Sequence, residues 1–240
     1  MYFLVDDKQK IIFGWSAKCG CTHIKYLFSF LTGEKWDEIN STTNLGNLLD
    51  SIHHQNTYGT LPPNFKDYRI FIIVRNPFKR LVSGFLEKYN YNGQRRHLWP
   101  KDKLLSFNNF CQELFTGQFD KVVDLHHFTW QLSEKWNDQL KTNVTVWDIN
   151  AIDYKTMENI YNKQIPQNVR DFRGKHARYT SIDLKNINVQ DELWNKSIDS
   201  YFTTKIDYKH FYSPSLKTKV KEFYKKDFQF CESKGFHYNI

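Results

Sequence analysis

The sequence predicts an α/β fold in which a parallel sheet is covered by helices on both faces. Three observations carry that expectation. Tyr68 to Arg75, YRIFIIVR, is apolar without alternation and rich in β-branched residues, the mark of a central strand buried on both sides. Ile11 to Leu31, IIFGWSAKCGCTHIKYLFSFL, passes from an apolar strand through a tight polar loop into residues apolar at helical spacing. Strand-like and helix-like runs then alternate along the chain, as successive βα units do. At 240 residues the chain can bury a full core, and residues 1–240 are expected to form a single domain.

The elements follow in order. Tyr2 to Val5 reads as an edge strand that turns at Asp6 and Asp7. Ile11, Ile12, Phe13 and Trp15 form the next strand, and Ile24, Leu27, Phe28 and Leu31 form the buried stripe of the helix after it. Residues 33–67 are polar and broken by Gly33, Gly46, Gly59 and Pro62-Pro63, so they read as short helices joined by loops. After the strand 68–75, Pro77 stands at a helix first turn, and Phe78, Leu81, Val82, Phe85 and Leu86 supply a stripe. Residues 90–103 read as a basic loop and 106–119 as a helix. Asp124 to Gln131, DLHHFTWQ, carries no clear periodicity. Asn143 to Ile149 reads as a later strand, Tyr154 to Tyr161 as a helix, 166–182 as a loop and Pro214 to Phe230 as a closing helix.

Formal charge is +8, which suits an anionic ligand without choosing among nucleotide, acidic glycan and nucleic acid. No basic stripe interleaved with exposed aromatics stands out, which argues against nucleic acid. The four cysteines, Cys19, Cys21, Cys111 and Cys231, form no CxxC pair and no zinc-spaced cluster, and they fit a reducing compartment. No run approaches the length of a membrane span and no cleavable leader is evident, so a cytoplasmic protein is expected.

The chemistry concentrates at the carboxyl ends of the strands 11–16 and 68–75, where ligands bind in open α/β sheets. A loop that opens a helix points backbone N–H groups outward, and the helix dipole favours an anion there. Lys18 adds a point charge, Gly20 permits close backbone approach and Thr22 adds a hydroxyl. A phosphate or sulfate is the natural guest. The Walker pattern is absent, because Lys18 precedes Gly20 and no Gly-Lys-Ser/Thr follows. Taken alone, the stretch equally fits an ordinary strand-to-helix turn with an exposed lysine.

Several motifs, in the same order along the chain, resemble those of carbohydrate sulfotransferases. KCGCT (18–22) before an apolar helix resembles that family's 5′-phosphosulfate loop. RNPFKRLVSGF (75–85) is similar to its 3′-phosphate motif, R-D-P-F-x-R-L-V-S-A-Y. HFTWQ (127–131) is similar to its H-x-x-x-Q segment, KHARYT (175–180) to a basic loop, and FYSPSL (211–216) with YKKDF (224–228) to its closing helix. Asn76 stands where Asp is usual, and Asn150 where Glu is often found.

The resemblance implies a P-loop-NTPase-like fold. It also implies the donor 3′-phosphoadenosine 5′-phosphosulfate (PAPS, product PAP) and transfer of a sulfuryl group to an acceptor hydroxyl, with a carbohydrate as the expected acceptor. By this reading Lys18 serves the leaving-group oxygen, the loop Lys18, Cys19, Gly20, Cys21, Thr22 and His23 holds the 5′-phosphate, and Arg75 with Ser83 holds the 3′-phosphate. Arg173, Lys175 and His176 close over the nucleotide or meet the acceptor. Candidate bases are His53, His54 and His127. No metal is required, because cationic side chains do the charge work. Two other classes stay open on the residues alone: a nucleotide phosphotransferase on the same fold, and a non-enzymatic module that binds anionic glycans.

Overall fold

The computed structural model describes residues 1–41, 48–49, 61–90, 93–117, 123–132, 144–172, 193–200 and 207–240. The chain folds as two compact units. One draws on residues 1–75 and 131–175, the other on 76–130 and 176–240.

The first unit is built on a four-stranded sheet in the order β1 (Tyr2–Asp6), β2 (Ile11–Trp15), β3 (Arg69–Val74) and β4 (Val144–Asp148). β2 pairs parallel with β3, and β3 parallel with β4. The edge strand β1 instead runs antiparallel to β2, so the sheet is mixed. The reason is local. Only residues 7–10 join β1 to β2, too few for a crossover, so the chain can only double back. Asp6 closes that turn by accepting the N–H groups of Lys8 and Gln9, and Lys10 takes positive φ.

β2 and β3 are buried along nearly their whole length, which accounts for their unbroken apolar sequence. Ile11, Phe13, Trp15, Phe71, Ile73 and Trp147 face one side. There they pack with Ile24, Leu27, Phe28 and Leu31 of the helix Cys21–Thr32 and with Met157, Ile165 and Val169. Ile12, Ile70, Ile72 and Val74, on the other side, are also buried, so both faces are covered.

The second unit has its own core. The helix Pro77–Tyr89 contributes Phe78, Leu81, Val82, Phe85 and Tyr89. The helix Phe107–Phe115 contributes Phe107, Phe110, Cys111 and Leu114. The expected closing helix is two helices, Pro214–Phe223 and Lys225–Ser233, which break at Tyr224. That residue is 1% exposed and donates its hydroxyl to the Phe128 carbonyl, so the break serves packing. Among the described residues no helix is long and apolar enough to cross a membrane.

Candidate active site

The loop between β2 and the helix Cys21–Thr32 is built from two left-handed residues, Lys18 at φ 68° and Gly20 at φ 76°. The Cys19 N–H donates to the Ser16 carbonyl and tightens the turn. Gly20 caps the helix without a side-chain bond, so its first-turn amides are served by no capping side chain of residue 20. Those amides, of Cys21, Thr22 and His23, have no carbonyl one turn back to bond within the helix. The first turn holds no acidic residue. Glycine at 20 is demanded by the protein itself. A Cβ there would stand 2.2 Å from Ile149 Cδ1, in a conformation that L residues resist.

Arg75 follows β3 directly. Its guanidinium donates through Nη1 to the Lys18 carbonyl at 3.0 Å, which brings the cations of the two motifs to the same end of the sheet. His23 is engaged differently from its neighbours. Its ring is buried, with Nδ1 3.0 Å from the Phe172 carbonyl and Nε2 2.9 Å from the Tyr154 hydroxyl. The imidazole is thus part of the packing of the helix, and what His23 offers the loop is its backbone.

Cys19 is fully buried, and its thiol donates to Gln131 Oε1 at 3.0 Å. Cys21 is half-buried near the Thr22 hydroxyl, and all four cysteines are free thiols. Cys19 is a small, packed loop residue, as its place in the sequence suggests.

In the second unit, Ser83 lies half-buried on the helix Pro77–Tyr89. Asn76, at the position where the motif usually has Asp, caps that helix by accepting the Phe78 N–H at 2.9 Å. Arg80, within the same motif, is 2% exposed and donates to the Thr129 carbonyl at 2.6 Å. Gly84 lets Phe128 approach, for a Cβ would meet Phe128 Cε1 at 2.6 Å. These contacts hold the segment that carries His127.

The segment of unclear periodicity contains a one-turn helix, Leu125–Phe128. His127 Nδ1 lies 2.8 Å from Asp124 Oδ2, and Arg95 adds a longer contact to the same carboxylate at 3.5 Å. Burial alone would raise the Asp124 carboxyl. The bond to His127 and the charges of His127, Arg95 and His126 outweigh it and hold the group well below the ordinary carboxylate range. Burial lowers His127 below its ordinary value, with the bond and charge of Asp124 opposing. A carboxylate on Nδ1 fixes the tautomer and leaves Nε2 as the proton acceptor. His53, His54, Arg173, Lys175 and His176 lie outside the described residues.

Two residues with structural weight went without a role in the sequence reading. Asp124 carried a usable signal, since it stands three residues before His127 and side chains at that spacing share a face. Gln131 stood in the HFTWQ match, but its work could not be read there, because its partners, Ser16, Cys19 and Arg75, are remote in sequence. Among the described residues no group of three or more metal-ligating side chains gathers.

A mixed, mostly parallel sheet carries at its strand ends the Gly20 loop, with Lys18 in that loop and Arg75 bonded to it. A family model described as the sulfotransferase family matches residues 1–232, and the chain belongs to that family. Rat carbohydrate sulfotransferase 11 is 31% identical over 104 residues, 40% of this chain and 30% of that protein. Human carbohydrate sulfotransferase 9 is 28% identical over 133 residues, 52% of this chain and 29% of that protein. The chain thus spans less than a third of the length of these curated relatives. A mouse sulfotransferase solved in complex with PAP aligns over 96% of this chain and 88% of its own, with 16% identity and a TM-score of 0.44. That likeness is too distant to bear on the site.

Proposed function

We propose that the protein is a PAPS-dependent sulfotransferase that moves a sulfuryl group to a hydroxyl of a carbohydrate. Membership of the sulfotransferase family supports the reaction class. The names of the relatives, carbohydrate sulfotransferases, support the acceptor class. The observation that carries the site is the 3.0 Å bond from the Arg75 guanidinium to the Lys18 carbonyl, which joins the two phosphate motifs at the mouth of the Gly20 loop. The family model runs through both units, which supports reading 1–240 as one catalytic domain.

The residues present suit the donor. Lys18, Arg75 and the first-turn amides are all donors, and the first turn of the helix holds no acidic residue. The donor supplies the sulfuryl group and a phosphate leaving group. In this reading the amides of Cys19, Gly20, Cys21, Thr22 and His23, with the Thr22 hydroxyl, hold the 5′-phosphate. Arg75 and Ser83 hold the 3′-phosphate, and Arg173 and Lys175 close over the nucleotide. Lys18 meets the bridging oxygen, where charge collects as its bond to sulfur breaks. His127, oriented by Asp124, takes the proton of the acceptor hydroxyl as its oxygen bonds to sulfur. His53 and His54 are the other candidates for that proton.

The test is transfer from radiolabelled PAPS to a panel of glycans by wild type and by Lys18→Ala, His53→Ala, His54→Ala and His127→Ala. Labelled glycan with wild type, and none with Lys18→Ala, is the expected result. Transfer of a phosphoryl group from ATP would support the phosphotransferase. Glycan binding without turnover would support the binding module.

A further inference from the structure

We propose that Gln131 is a positioning residue of the donor site, whose side-chain amide fixes the anion loop against the end of β3. The inference rests on the donor-site reading above and adds a residue to which that reading gives no role.

Gln131 is 1% exposed. Its Oε1 accepts the Arg75 N–H at 2.8 Å, and its Nε2 donates to the Arg75 carbonyl at 2.9 Å. The same Oε1 accepts the Cys19 thiol at 3.0 Å, and the Gln131 carbonyl accepts the Ser16 hydroxyl at 2.6 Å. One residue therefore holds the first and fourth residues of the loop and both backbone groups of Arg75.

The need for such a residue follows from the sheet. The pairing of β2 with β3 ends at Gly14 and Ile72. Beyond that rung one strand turns into the loop and the other runs on to Arg75. The amide acts there as a rung, since it offers Arg75 a donor and an acceptor together, as a neighbouring strand would. Only a side-chain amide has both in one plane, and a carboxylate or thioether of the same reach does not. Gln131 thus pairs both backbone groups of Arg75 between the buried Val74 and Asn76, where backbone polar groups are costly to leave unmet. The Arg75 guanidinium bonds the Lys18 carbonyl from the same frame, so a shift of this rung moves both cations at once.

The experiment compares wild type with Gln131→Met, Ser16→Ala and Tyr212→Phe. Tyr212 lies in the other unit, is 3% exposed and donates to the Phe78 carbonyl, so its loss reports the cost of a buried bond away from the donor site. Each variant is measured for melting temperature without ligand, for PAP affinity by calorimetry, and for KM of PAPS. Gln131→Met is expected to weaken PAP and raise KM for PAPS by about tenfold or more, because sub-ångström misplacement of binding groups is costly. Ser16→Ala removes one bond of the ring and is expected to weaken PAP in the same direction by less. Tyr212→Phe is expected to lower the melting temperature and leave PAP affinity as in wild type.

If Gln131→Met does not fold, Ser16→Ala decides by its PAP affinity. Affinity unchanged in Ser16→Ala and in any folded Gln131→Met overturns the inference while the donor site stands. Affinity lost equally in Tyr212→Phe also overturns it, since loosening of the fold in general would then explain the effect. Wild-type protein that does not bind PAP overturns the donor-site reading and this inference with it.

Discussion

Lys18 and Arg75 lie 57 positions apart, and the Arg75 guanidinium bonds the Lys18 carbonyl. Each is asked to do different work. In the proposed reaction Arg75 would bind charge that is present before and after transfer, whereas Lys18 would meet charge that grows as the leaving group departs. Only the second kind of contact lowers the barrier to the chemical step. Lys18→Ala is therefore expected to reduce kcat by about 10²- to 10³-fold, as loss of one transition-state donor does. PAP affinity should fall much less, and calorimetry on the variant checks that split. The Asp124–His127 pair makes a second prediction at this scale. His127 must be neutral to accept a proton, so activity should rise with pH through a pKa below the ordinary histidine value, where burial holds it. Asp124 raises that pKa, so Asp124→Asn should move the acid limb to lower pH while kcat falls with the loss of the oriented tautomer. A pH–rate profile of both proteins reads the shift. A limb that moves to higher pH, or not at all, removes His127 as the base.

At the scale of elements, two substitutions test why the motifs have their residues. Asn76→Ala should cost about 1 kcal/mol of stability through loss of the helix cap, and Asn76→Asp should keep the cap. Denaturant titration of the pair checks both. The departure from the usual Asp is thus no defect in the motif, since either residue can accept the Phe78 N–H. Gly20→Ala forces a left-handed non-glycine residue and a clash with Ile149, so it should cost at least about 1–2 kcal/mol and weaken PAP as the loop shifts. The melting temperature and PAP affinity of that variant report it. Strands and helices with strong patterns were legible in the sequence: β3, the helix Tyr154–Tyr161 and the strand–loop–helix around Gly20 stand where periodicity places them. What was not legible depends on remote partners. The helix 106–119 ends early, at Phe115, and the tail breaks at Tyr224, whose hydroxyl reaches Phe128 across 96 positions. No local pattern announces such a bond. In the site, the cations and the glycine could be read from motif and spacing. The fixed ring of His23 and the frame around Gln131 could not, because each exists only once distant segments meet.

At the scale of the whole molecule, a formal charge of +8 draws anions, and the proposed site at the Gly20 loop would give one a seat that a general basic surface lacks. Charge alone would bind ATP, ADP and PAP comparably, whereas the donor site proposed for the two motifs would demand phosphates at both the 3′ and the 5′ positions. The most direct measurement of the central claim is therefore a thermal-shift comparison of PAP with ATP and ADP on the wild-type chain. At about 100 times Kd, a ligand specific to the folded state adds about 2.7 kcal/mol, which raises the melting temperature of a chain of this size by about 5–10 °C. The account predicts a shift of that order with PAP and a far smaller one with ATP or ADP. A shift with ATP that matches or exceeds that with PAP, or no shift with any of the three, would contradict it.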